Sequence, residues 1–268
     1  MTSIGSTWRI SPGKAFGERA GRLQLLDIGG VIVVVLACGY AITLTLRGFA
    51  FDVITNNFSY MMQGLRMTWE LAIMSFCLGL LAGTIIAVAR ESDIALLRWV
   101  AKSYVELLRN VPQLMVIFWV YFLLPAVTGH SINEYLAAAV ALTACISAYL
   151  AEVVRAGINS VPRTQIEAAY STGCTYLQAM RLIILPQALR NMIPSLVNQF
   201  VSAFKTTSLV YIIGVIEFFR AASIVNERDF KSMEIFTFVG FVYFVNCFCM
   251  STLARWYERR LQRKREGR

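Results

Sequence analysis

EAAYSTGCTYLQAMRLIILP, residues 167–186, is a polar stretch set between long apolar runs. It reads Glu167-Ala168-Ala169, three residues, Gly173, nine residues, Ile183, one residue, then Leu185-Pro186. Thr164 lies just upstream and Glu167 follows three residues later, which predicts an N-cap and a capping box. Ala168 and Ala169 favour helix and permit close approach of a partner. Gly173 is placed to end or redirect the first turns. Leu177, Met180 and Ile184 continue at helical spacing, and Pro186 marks the start of the next apolar run, because the residue before proline avoids α geometry. The expectation is a short helical lever over about residues 164–181, inside a polar loop 160–190 that lies outside the apolar spans.

Outward from this loop the chain is apolar. Of 268 residues 57% are hydrophobic and 15% charged, against roughly 25% charged in soluble domains. A bilayer span needs about 20 mostly apolar residues. Six segments qualify: 28–46, 58–89, 110–124, 135–151, 191–216 and 235–254. Each is expected to be helical, because backbone polar groups in hydrocarbon must be satisfied within the segment. The runs are continuous rather than alternating, which excludes a β-barrel reading. The predicted fold class is an all-α polytopic membrane protein with about six transmembrane helices. Residues 1–27 read as a polar N-terminal tail, 28–46 as an extra anchor helix that is retained, 58–256 as a five-helix domain, and 257–268 as a basic tail.

The net charge is +9. Nucleic acid is the common partner of a basic chain, but these charges track the membrane map. Nineteen of the 25 Lys and Arg residues fall in the tails and in the loops around 90–109 and 155–190. The positive-inside rule therefore places both termini in the cytoplasm, together with residues 160–190. The lipid bilayer, not nucleic acid, is the expected partner of the charge pattern. Six cysteines form no C-x-x-C pair, and the single histidine is His130, in an outer loop. Neither a metal site nor a catalytic residue is expected. No H-E-x-x-H, G-x-S-x-G or G-x-x-x-x-G-K-[ST] pattern occurs, so ATP has no phosphate loop here.

The spacing of residues 167–186 resembles the cytoplasmic coupling loop of permease subunits of ABC importers. Further stretches extend the resemblance to permeases for polar amino acids: AKSYVELLRNVPQL (101–114), AYLAEVVRAGINSVPRTQIEAAYSTG (148–173) and ILPQALRNMIPSLVNQF (184–200). FKTTSLVYIIGVIEFFRAASIVNERDF (204–230) is similar to the glutamate/aspartate members in particular. The resemblance covers about residues 58–260. It implies the type I ABC importer permease fold in a bacterial inner membrane. It also implies two cytoplasmic ATPase subunits that bind ATP and Mg, a second permease that is a sister chain or another copy, and a periplasmic solute-binding protein. No cofactor would sit in this chain. Glu167, Ala168, Ala169, Gly173, Leu185 and Pro186 would couple to the ATPase.

Charge inside a span is costly, by about 2.5–3.5 kcal/mol on insertion scales, and marks function by default. Lys205 is such a residue, followed by Thr206, Thr207 and Ser208. A cation with three hydroxyls suits an amino-acid carboxylate through charge-assisted hydrogen bonds. Internal pairing of Lys205 with Glu70 or Glu152 is the plainer alternative. Arg66 is a second candidate for the substrate path, although its i,i+4 spacing to Glu70 favours a pair along one face. Glu152 and Arg155 are read the same way. The expected cargo is glutamate or aspartate, with glutamine or asparagine as alternatives. An ion-coupled secondary transporter would show paired interrupted spans, and none stand out here.

Overall fold

The computed structural model describes residues 49–266, with side chains up to residue 256. The chain divides into two units, Met1–Phe51 and Asp52–Arg268. The expected N-terminal tail and anchor helix lie outside the described residues.

Every regular element among the described residues is helical. Helix α1 is Phe51–Arg90 and α2 is Ala95–Asn110. Next come α3 (Gln113–Phe118), a π turn Trp119–Leu123, and α4 (Leu124–Thr128). Helix α5 is Glu134–Asn159, α6 is Arg163–Ser171 and α7 is Tyr176–Ala179, which runs through a π turn Met180–Ile184 into α8 (Leu185–Thr206). A 3-10 segment Thr207–Ile213 leads to α9 (Phe218–Asp229), and α10 is Ser232–Glu266. Among the described residues three helices are long and apolar enough to cross a membrane: α1, α5 and Ser232–Trp256 of α10. Two bent pairs, Ala95–Asn110 with Gln113–Thr128 and Tyr176–Ile213 with Phe218–Asp229, raise the number to as many as five. The sequence expectation is five spans over 58–256.

The boundaries differ from the sequence expectation in instructive ways. Helix α1 has 40 residues, about 60 Å at 1.5 Å per residue, twice the roughly 30 Å hydrocarbon thickness. Its first two turns place Asp52, Thr55 and Asn56 on the exposed side, which is why apolar counting trims it. Residues 95–110, expected as loop, form the amphipathic α2, which buries Ala101, Val105 and Leu108. Its charged positions hid it from a search for apolar runs. Pro112, where the chain turns by 111° into α3, cannot donate a backbone hydrogen bond and redirects the helix.

Helix α5 sits at the centre, and small residues let its neighbours approach. Gly79 and Gly83, one turn apart on α1, lie against it. A Cβ at Gly83 would come within 2.8 Å of the Ser147 carbonyl oxygen, so glycine is required there by contact rather than by backbone angle. On the other side Gly157 meets the Met192 side chain of α8. The central cluster joins Leu71, Ile117, Ala138, Leu142, Ile146, Leu150, Ala203 and Val210. A second cluster gathers Ala87, Val105, Val154, Val161, Ile184 and Met192 at the end that carries residues 160–190. A third, at the opposite end, packs Met61, Phe218, Val225, Ile235 and Val239. Helix α10 runs along the outside and exposes Phe241, Phe244, Phe248 and Leu253, as a lipid-facing helix must.

Candidate functional site

The segment between α5 and α8 is built from two short helices rather than one. Helix α6 begins after Pro162, and no side chain caps it. The expected N-cap at Thr164 is therefore inside the helix, one residue past its start. The capping box falls elsewhere: Thr175 Oγ1 accepts from the Gln178 N–H, and the Gln178 side chain accepts from the Thr175 N–H. The T-x-x-Q pattern at 175–178 was as visible in the sequence as T-x-x-E at 164–167. Pro162 at the preceding turn decides between them, because proline is pre-set to open a helix without a donor.

Gly173 separates the two helices in the left-handed region, φ +82°. The Cys174 N–H donates to the Ala169 carbonyl and the Gly173 N–H to the Tyr170 carbonyl. Those two bonds form a Schellman motif, which favours glycine at this position. Of the predicted coupling residues, Ala169 is 2% exposed and faces inward. Glu167, Ala168, Gly173, Leu185 and Pro186 are exposed. Leu185 and Pro186 open α8, so both belong to the joint with the span. Sequence reasoning missed the apolar exposure around them: Tyr170, Tyr176, Leu177 and Leu182 stand out, with Leu177 76% exposed. Ile166 and Met180 reach back into the apolar cluster behind. The segment thus has one side anchored to the bundle and one side presenting aromatic and aliphatic groups.

Just above it, Glu152 collects three arginines. Arg90 lies 2.6 Å away, Arg155 2.7 Å and Arg109 3.4 Å. These residues tie α1, α2 and α5 together. The i,i+3 pair with Arg155 was legible from spacing; Arg90 and Arg109, distant in sequence, were not. Asn191 of α8 donates to Ser160 Oγ and fastens α8 to the end of α5.

Lys205 is exposed near the C-terminal end of α8 and forms no ion pair among the described residues. Glu70 pairs with Arg66 at 2.7 Å and Glu152 with its arginines, so the internal partners weighed for Lys205 are taken. The expected hydroxyl donors do not gather round it. Thr206 Oγ1 donates to the Ser202 carbonyl, Thr207 Oγ1 to the Phe204 carbonyl, and Ser208 Oγ to the Lys205 carbonyl. Thr207 is also buried. Their protons are spent on the backbone, which leaves acceptors, and a carboxylate needs donors. Arg66 points outward with its side chain 82% exposed.

Residues 75–263 match the family described as binding-protein-dependent transport system inner membrane component. The chain belongs to that family. It is 38% identical over 219 residues to the glutamate/aspartate import permease protein GltK of Escherichia coli, covering 79% of this chain and 98% of that protein. It is 36% identical over 212 residues to the probable glutamine ABC transporter permease protein GlnM of Bacillus subtilis, covering 79% and 98% respectively. A crystal structure of an amino acid ABC transporter with histidines superposes with a TM-score of 0.75 at 34% identity, over 79% of this chain and 98% of that one. The protein is an amino acid ABC importer permease, membrane-spanning and built of helices among the described residues. In this permease α6 and α7 follow one another in the polar segment between α5 and α8.

Proposed function

We propose that this permease imports acidic amino acids, glutamate and aspartate, across a bacterial inner membrane. The observation that carries the reading is a lysine in a span with no carboxylate partner among the described residues, in a chain 38% identical along 98% of a glutamate/aspartate permease. Lys205 would offer the cation that a second carboxylate of the cargo calls for. Arg66, already paired, is the lesser candidate. A glutamine permease is nearly as similar at 36% identity, so a neutral amide cargo is the competing reading.

The energy would come from outside the chain. Two ATPase subunits holding ATP and Mg would seat against α6 and α7, with Glu167, Ala168 and Ala169 forming the lever. The exposed Tyr170, Tyr176 and Leu177 would enter an apolar cleft, Gly173 would set the elbow, and Leu185-Pro186 would pass the motion into α8. A second permease and a periplasmic solute-binding protein would complete the assembly, with both termini cytoplasmic. This chain itself would catalyse nothing.

The test is uptake of labelled glutamate by the complex reconstituted in proteoliposomes. Excess aspartate should abolish the signal and excess glutamine should leave it. Lys205→Ala should lower uptake about tenfold, the loss of one charge-assisted contact, while ATPase activity persists. Competition by glutamine but not aspartate would overturn the acidic assignment.

A further inference from the structure

Helix α2 is fastened to the bundle on one side only. Ala101, Val105 and Leu108 are buried, and the Tyr104 hydroxyl meets Ser147 Oγ at 2.8 Å and the Ala144 carbonyl at 3.2 Å. Two rows stand out among the exposed positions. Leu96, Val100 and Leu107 lie within about 40° of one another around the helix, and so do Arg98, Lys102 and Arg109. The rows are about 160° apart. Trp99 sits between them on the side turned away from the bundle, 67% exposed. Glu106, the one carboxylate of the helix, accepts from Asn110 Nδ2. Glu91 and Asp93 stand in the turn ahead of it, where the helix dipole favours negative charge.

An apolar row opposite a cationic row, with a tryptophan at the border, suits a helix lying along a membrane surface. The placement of α2 agrees. Its 16 residues cover about 24 Å, short of the roughly 30 Å of hydrocarbon. It meets α3 at a bend of 111°, so it runs across that helix rather than continuing it. It follows directly on α1, whose last turns expose Leu81, Ile85 and Val88, an apolar surface fit for lipid. It lies at the end of the bundle that carries residues 160–190, since Val105 shares a cluster with Val161 and Ile184. Lys102 makes no ion pair among the described residues, and Arg98 only donates to the Ser92 carbonyl. Both charges are open to an external anion.

We propose that α2 lies in the inner-leaflet interface, with Leu96, Val100 and Leu107 among the acyl chains and Arg98 and Lys102 on the phosphates of anionic phospholipids. Arg109 joins them while it holds Glu152 at 3.4 Å. Guanidinium and ammonium groups donate charge-assisted hydrogen bonds to phosphate oxygens, and each basic group near an anionic leaflet strengthens binding about fivefold. Helix α2 ends at the Pro112 corner, so the lipid that seats it also sets the angle at which α3 enters the bundle. The permease then needs anionic lipid to work. The inference rests on the membrane-spanning importer reading with residues 90–109 on the cytoplasmic side, and not on which amino acid is carried.

The test uses the assembled complex in phosphatidylcholine liposomes with a rising fraction of phosphatidylglycerol. Single nitroxide labels, with the six native cysteines replaced by serine or alanine, report depth. Labels at Leu96→Cys and Leu107→Cys should meet dissolved oxygen more often than a water-soluble nickel chelate, and a label at Lys102→Cys the reverse. ATP hydrolysis by the complex should rise with phosphatidylglycerol. The double variant Arg98→Gln, Lys102→Gln should need at least about twofold more of it for half-maximal activity, and the charge-preserving swap Arg98→Lys, Lys102→Arg should behave as the native chain. Nickel contact at Leu96→Cys equal to that at Lys102→Cys would overturn the proposal. So would spin–spin broadening between two permeases at Leu107→Cys, which would make the apolar row a seam between subunits. Activity indifferent to phosphatidylglycerol, or equally dependent on it in the native chain and the double variant, would overturn the headgroup contact. Neither readout depends on the cargo, so a wrong acidic assignment would leave both unchanged.

Discussion

Glu152 and Glu217 lie towards opposite ends of the bundle, and each fastens helices that are distant in sequence. Glu152 uses charge: three guanidinium groups from α1, α2 and α5 converge on it. Arg109 and Arg155 remain more than a third exposed, so water reaches the cluster. Glu217 is fully buried and no cation touches it among the described residues. It caps α9, accepting from the Phe219 and Arg220 N–H groups and from the Tyr243 hydroxyl. Thr68 of α1 completes the site: its oxygen accepts from the Phe218 N–H, and its proton is shared between the Gly64 carbonyl and Glu217. The difference is one of range. A half-wet ion cluster is long-range and screened by salt, whereas a dry hydrogen-bonded cap is short-range and depends on geometry.

The largest effect should come from Glu217→Ala. It strands two helix N–H groups and the Tyr243 hydroxyl, while Thr68 keeps the Gly64 carbonyl, and the loss is expected to be about 3 kcal/mol, read by denaturant unfolding of the detergent-purified complex. Glu152→Ala should come next. It leaves three arginines facing one another, and half-exposure holds the loss to about 2 kcal/mol. That loss should shrink at molar salt, where the screening length is about 3 Å. The Glu217→Ala loss should not change with salt, and equal salt responses would dissolve the contrast. Thr68→Val should cost about 1 kcal/mol by orphaning the Phe218 N–H. Tyr243→Phe should cost least, about 0.5 kcal/mol, since its 3.3 Å bond is long. A Tyr243→Phe loss as large as that of Thr68→Val would mean that the phenol, not the cap, carries the site.

Neither carboxylate cluster was legible as such in the sequence. Spacing arguments find pairs within one helix, so Arg66–Glu70 and Glu152–Arg155 were readable. Arg90 is 62 residues from Glu152 and Thr68 is 149 from Glu217, and nothing local joins them. The spans were readable because hydrocarbon imposes long apolar runs. Helix α2 was not, because its burial is one-sided. Residues 167–186 were located by spacing, but their two-helix form depended on Pro162 and on the left-handed turn at Gly173. Around Lys205 the hydroxyl neighbours in sequence misled, because a serine or threonine in a helix tends to bond the carbonyl a turn behind. The polar groups that share its face, Ser195, Asn198 and Ser202, lie three to ten residues upstream and emerge only once exposure is read along the helix.

The glycines of α1 carry a mechanical consequence. With Gly79 against Ile146 and Gly83 against the backbone of Ser147 and Ala151, the two longest central helices are keyed together like a bolt in its slot. Sliding one along the other would drive a side chain into a main chain, so α1 and α5 travel as a single strut through any cycle of opening and closing. The compliance has to reside where the chain bends: at the 111° corner beside Pro112 and at the 47° break before α9. Residues 160–190 run without a break into α8, whose exposed face between residues 191 and 205 is polar.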